Sequence, residues 1–187
     1  MRNAVFLMIG LSVLGACSDP LSTGRYMIDP PTAAKSLPNR LGQAELREVS
    51  LPQYASDQEI VWQTEDGALR STPENVWADN PARAMTLALA RQISALSGAT
   101  VIPEPWPLAQ EPQRRIEVRV EQVLPRADGV LHMAGIYFVS PAGDTMGRDV
   151  VHRFDVEVPL EGEGPGFIAK AQSAAIGQLA AQIAALK

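Results

Sequence analysis

The chain has 187 residues, 46% of them hydrophobic and 20% charged, with a formal charge of -5. That length suits one domain of ordinary globular composition and excludes a disordered polyelectrolyte. The acidic balance, with no cluster of Lys and Arg to reverse it locally, argues against binding nucleic acid, and the single cysteine rules out an internal disulfide.

The N-terminus is built differently from the rest. Arg2 gives a positive start, and residues 4–14 form an apolar run of signal-peptide length, too short to span a bilayer. The run ends in Leu14-Gly15-Ala16-Cys17, which resembles the lipobox of bacterial lipoproteins. On that reading residues 1–16 are a leader, and the Cys17 thiol accepts a diacylglyceryl group before cleavage. Loss of Arg2 with the leader takes the charge from -5 to -6. Several acyl chains anchor far more firmly than one, because each buried methylene contributes about 0.8 kcal/mol. Ser18 after the cysteine resembles the signal for outer-membrane sorting, with Asp19 one place later. Residues 17–24 then read as a lipidated polar tether, of which residues 18–24 reach about 25 Å when extended.

Residues 25–187 are expected to form one periplasmic domain. A short strand over 25–29 stops at Pro30-Pro31, and 41–51 alternates as a second, with Leu46, Val49 and Leu51 facing the core. Residues 60–64 and 68–72 flank Glu65-Asp66-Gly67 as a hairpin. Asn80-Pro81 predicts a helix start, Met85, Leu89, Ile93 and Leu96 its apolar stripe, and Gly98 its C-cap. Four prolines around Trp106 mark 101–112 as an irregular loop. Ile116, Val118 and Val120 alternate with Glu117, Arg119 and Glu121 in a strand over 116–123. Asp128-Gly129 turns it into a strand over 130–139, and residues 140–144 turn again into one over 148–158, with Phe154, Val156 and Val158 inward. A helix over 166–186 carries Ile168, Ala171, Ala175, Leu179, Ile183 and Leu186 on one stripe. The expected fold is α+β: a mainly antiparallel sheet covered by two helices on one face.

The chemistry-bearing residues are few. The only thiol is assigned to lipid, and no nucleophile elbow, zinc-protease helix or phosphate loop occurs. His132 and His152 would face each other if their hairpin centres on Ala142; two ligands without a third make a poor metal site, so neither a metal nor a cofactor is assigned. Trp62 and Trp77 read as packing residues. Trp106, between Pro105 and Pro107, is the candidate partner contact, because an aromatic held in a stiff loop pays little entropy to bind. Glu161 and Glu163 read as a solvated turn.

With the lipobox in place, the mature chain resembles the PqiC-type auxiliary lipoproteins of ABC-type transport systems. The residues that carry this are Tyr26 to Asp29 (YMID), then Val49-Ser50-Leu51-Pro52 leading into Tyr54. Ile60-Val61, Leu69 and Trp77-Ala78 follow in the same order, before a helix ending at Leu96. The likeness spans most of 25–140, and Asp57-Gln58-Glu59 stands where the family commonly has an arginine–proline pattern. It implies a non-enzymatic subunit that works with an MCE-domain protein and an ABC-type permease to move lipid between the two membranes. A homo-oligomer is compatible with that role. A lipid-anchored hydrolase and an assembly factor for an outer-membrane protein are the competing readings.

Overall fold

The computed structural model describes residues 22–186, so Cys17 and the leader lie outside the described residues. The chain runs β1 (Gly24–Tyr26), β2 (Gln43–Leu46), α1 (Gln53–Ser56), β3 (Trp62–Gln63), β4 (Leu69–Arg70), β5 (Asn75–Trp77), α2 (Pro81–Ser97), β6 (Thr100–Pro103), β7 (Arg114–Pro125), β8 (Val130–Pro141), β9 (Val150–Pro159) and α3 (Pro165–Ala184).

Five strands form the main sheet in the order β6-β2-β7-β8-β9. β7, β8 and β9 are an antiparallel meander, as the turn signals predict, while β2 lies parallel to both of its neighbours, β6 and β7. The sheet is therefore α+β in class but mixed in direction. The hairpin β3–β4 pairs Trp62 with Arg70 and Gln63 with Leu69, and β1 runs parallel to β5.

α2 and α3 pack against each other and against the same face of the sheet, α2 over β6 and α3 over β9 and β8. α2 starts where Asn80 accepts a hydrogen bond from the Arg83 N–H at 3.0 Å, with Pro81 in the first turn. It ends where Gly98, at φ 72°, sends its N–H to the Ser94 carbonyl. Met85, Leu89 and Ile93 are buried as its stripe predicts, and Leu96 is half-buried. They meet Ala175, Leu179 and Ile183 of α3 and the inward residues of the meander in one core.

Alternation in β7 breaks once. Val120 pairs with Gly135 and Gln122 with Ala134, so Glu121 is an extra residue and the inward positions shift from Ile116, Val118 and Val120 to Val123 and Pro125. Gly135 opposite this irregularity has no room for a side chain: a Cβ there would lie 2.2 Å from the Arg119 carbonyl oxygen and 2.9 Å from the Phe154 ring.

Two local expectations are corrected. The loop assigned to 101–112 begins as strand, because β6 continues from the α2 cap and takes the free edge of β2, Val101 opposite Ala44. Leu51, expected in a strand, lies beyond β2 and is half-buried, packed against the core.

Candidate functional site

Beyond β6 the chain is fastened back onto β2. The Glu104 N–H donates to the Leu46 carbonyl at 2.8 Å, and the Glu48 N–H donates to Glu104 Oε1 at 2.9 Å. Glu45 lies opposite Arg115 in the β2–β7 register and its side chain is only 11% exposed. Its Oε1 accepts the Trp106 backbone N–H at 3.1 Å and its Oε2 accepts Arg115 Nε at 2.9 Å. The Trp106 indole N–H closes the loop by donating to the Gln110 carbonyl at 2.6 Å. The ring is half-buried, Pro112 is buried, and Leu108 stands out of the loop, 46% exposed. A semi-rigid loop thus presents part of an indole and a neighbouring leucine at one edge of the sheet. The sequence pointed to Trp106 but not to Glu45, whose place opposite Arg115 depends on a pairing between residues seventy apart.

The face of the sheet away from the helices is charged and of mixed sign. Arg47 and Arg119 both pair with Glu117, Arg153 pairs with Glu121, and Arg119 also lies over the Phe138 ring at 5.0 Å. Such interleaving supplies neither an anion-binding nor a cation-binding field.

The histidines do not meet. The β8–β9 register sets His132 opposite Glu157 and His152 opposite Tyr137, which centres the connection between Asp144 and Thr145 instead of on Ala142. The offset is odd, so the two side chains lie on opposite faces of the sheet. His132 Nδ1 sits 3.2 Å from Glu157 Oε1; its Nε2 is 3.5 Å from Asp128 Oδ2 without hydrogen-bond geometry and is buried without a partner. His152 is exposed and stacks obliquely on Tyr137, with 5.5 Å between ring centroids. Burial raises the Tyr137 phenol above its ordinary range, and Tyr54, whose hydroxyl accepts the Val123 N–H, is raised for the same reason. Asp66, at the tip of the β3–β4 hairpin, is lowered, first by the Thr64 hydroxyl and then by the Ala68 N–H. Among the described residues no three His, Cys, Asp or Glu side chains are grouped to hold a metal, and no helix is long and apolar enough to cross a membrane.

The geometry is that of an α+β domain that presents one fastened loop at the edge of its sheet. The family model described as the ABC-type transport auxiliary lipoprotein component matches residues 26–184. The chain belongs to this family. The match runs from the end of β1 to the last residue of α3, so the auxiliary lipoprotein component is the whole of the described fold. Its family is one of transport components and not of enzymes.

Among solved structures, the crystal structure of an uncharacterized protein is similar at a TM-score of 0.66 and 22% identity, covering 83% of this chain and 97% of that one. Protein XCC0632 from Xanthomonas campestris, of family DUF330, matches at a TM-score of 0.66 and 13% identity, covering 83% and 90%. At these identities the likeness establishes the fold. No curated protein matches the chain.

Proposed function

We propose that this auxiliary lipoprotein component is anchored through Cys17 to the periplasmic face of the outer membrane and serves an MCE-type and ABC-type lipid transport system as a non-catalytic subunit. On this reading residues 1–16 are the leader, 17–24 the lipidated tether and 25–187 one periplasmic domain of PqiC type. The family match over residues 26–184 carries the reading. The order of charge, apolar run, small residues and cysteine at residues 2–17 supports the anchor. A tether this short keeps the domain near the membrane, so the contact with a partner falls on the domain surface. The stiffened 103–112 loop, with Trp106 and Leu108, is the part of that surface assigned to the MCE-domain protein.

The experiment pairs a mass with a pull-down. Intact mass of the mature chain should show an acylated Cys17, and Cys17→Ala should lose acylation. Trp106→Ala should weaken capture of the MCE-domain protein by roughly thirtyfold, the loss of about 2 kcal/mol that an aromatic anchor brings, with little change in melting temperature. An unmodified N-terminus would remove the anchor. Capture of a β-barrel in place of the MCE protein would make the chain an assembly factor, and turnover of ester or glycosidic substrates would make it a hydrolase.

A further inference from the structure

A cavity of about 650 Å³ lies between the β3–β4 hairpin, the β7–β8 turn and the loop that enters α3. Small-molecule sites commonly occupy roughly 300–1,000 Å³. One wall is apolar, made by Trp62, Pro125, Leu160 and Ile168. Two groups in this lining are left unspent by the fold. Trp62 is half-buried, and no hydrogen bond among the described residues engages its indole N–H. Arg126 is half-buried too, and its guanidinium donates at 2.9 Å to the neutral amide oxygen of Gln122. No carboxylate among the described residues forms an ion pair with Arg126, although the chain is acidic and eight pairs of Arg or Lys with a carboxylate form elsewhere among those residues. A half-buried cation without a counter-charge favours an anion brought from outside. Glu163 lines the same mouth, but it is exposed, unpaired with Arg126 and screened by water. Gly164, at φ 101°, opens α3 with no side-chain cap, which turns the positive end of that helix toward the same space.

We infer, independently of any role in transport, that this cavity binds one anionic amphiphile: a carboxylate or phosphate head against Arg126 and an apolar arm across Trp62, Leu160 and Ile168. The head sits at the β7–β8 turn, where Arg126 is fixed by its own N–H donating to the Val130 carbonyl. The arm follows the apolar wall toward the start of α3. A cationic amphiphile would meet the guanidinium and the helix end with the wrong sign.

The test titrates the full mature chain, held in phosphatidylcholine nanodiscs where it is acylated, with octanoate, octyl phosphate and octyltrimethylammonium. Tryptophan emission and calorimetry are read together. At least one of the two anions should bind saturably at one per chain, the tighter of them assigning the head as carboxylate or phosphate, and the cation should not bind. Trp62→Phe should remove the emission change while calorimetry still shows binding. Arg126→Gln should weaken the anion about tenfold or more, the loss expected of a charged hydrogen bond. Ala127→Glu, at an exposed position on the same lining, should do likewise without removing any buried group. Saturable binding of the cation, binding of neither anion, or anion affinity unchanged in both Arg126→Gln and Ala127→Glu would overturn the assignment.

Discussion

Glu45 is the test of whether the Trp106 loop is held or merely lies against the sheet. In Glu45→Ala the Trp106 N–H loses a charged acceptor at 3.1 Å in a part-buried position, and Arg115 Nε loses one at 2.9 Å. A hydrogen bond to a charged group contributes about 1.5–3 kcal/mol, and a donor left unpaired keeps its desolvation penalty. The Arg115 arm counts for less, roughly 0–1 kcal/mol, because that side chain is 48% exposed and water takes over its solvation. The expected loss is about 2–3 kcal/mol, which for a chain of this size lowers the melting temperature by roughly 5–10 °C. Glu45→Gln keeps an oxygen for the Trp106 N–H but puts an amide NH2, which cannot accept, against Arg115 Nε, so it should lose less than Glu45→Ala. Thermal melts of the three proteins, with amide exchange at Trp106, make the comparison. A Glu45→Ala melt within about 2 °C of the parent, with the Trp106 amide equally protected, would show that this carboxylate does not hold the loop.

Two further predictions concern the sheet. Gly135→Ala sets a Cβ against the Arg119 backbone oxygen, which can move only with β7, so the loss should be about 3 kcal/mol or more, read as a fall in the urea midpoint at unchanged slope. Tyr137 has its folded value raised above the ordinary 10.0, so its contribution is intact below that pH and is lost as pH rises through the raised value. Urea midpoints taken from about pH 9 to about pH 11.5 should therefore fall, and Tyr137→Phe should fall less steeply over the same interval; parallel curves would refute the assignment.

What the sequence made legible is what short-range rules govern. α2 is fixed by Asn80, Pro81 and Gly98, all within or beside the helix they bound, and the structure places each in its expected role. The meander follows from alternation and from Asp128-Gly129, and Phe154 and Val156 point inward as expected. The family resemblance was legible as well, because it rests on the order of short motifs. β6 was hidden by the prolines at its end and beyond it: Pro103, the one inside the strand, lies on an edge, where a missing N–H disturbs only one side. The parallel pairing of β2 has no local signature, and so neither did the Glu45–Arg115 pair. The histidine pairing failed on turn length, since β8 runs on to Pro141 and β9 begins only at Val150, which moves the centre of the connection and flips one side chain to the other face. Trp62 packs against the core as expected, while the cavity beside it has no signature in the sequence, because it forms between segments distant along the chain.

The position of β2 has a consequence for the order in which the chain can fold. β7, β8 and β9 follow one another in the sequence, joined by short connections and closed by α3, so their contacts form by local search. β2 is made first yet belongs in the middle of the sheet, where Gln43 and Gln113 are seventy residues apart. During synthesis or export it has nothing to pair with until β6 and β7 emerge, and until then Ala44 and Leu46 remain uncovered. Closing that seventy-residue loop costs more chain entropy than pairing neighbouring strands of the meander, and until it closes the β7 edge that receives β2 has unpaired N–H and C=O groups.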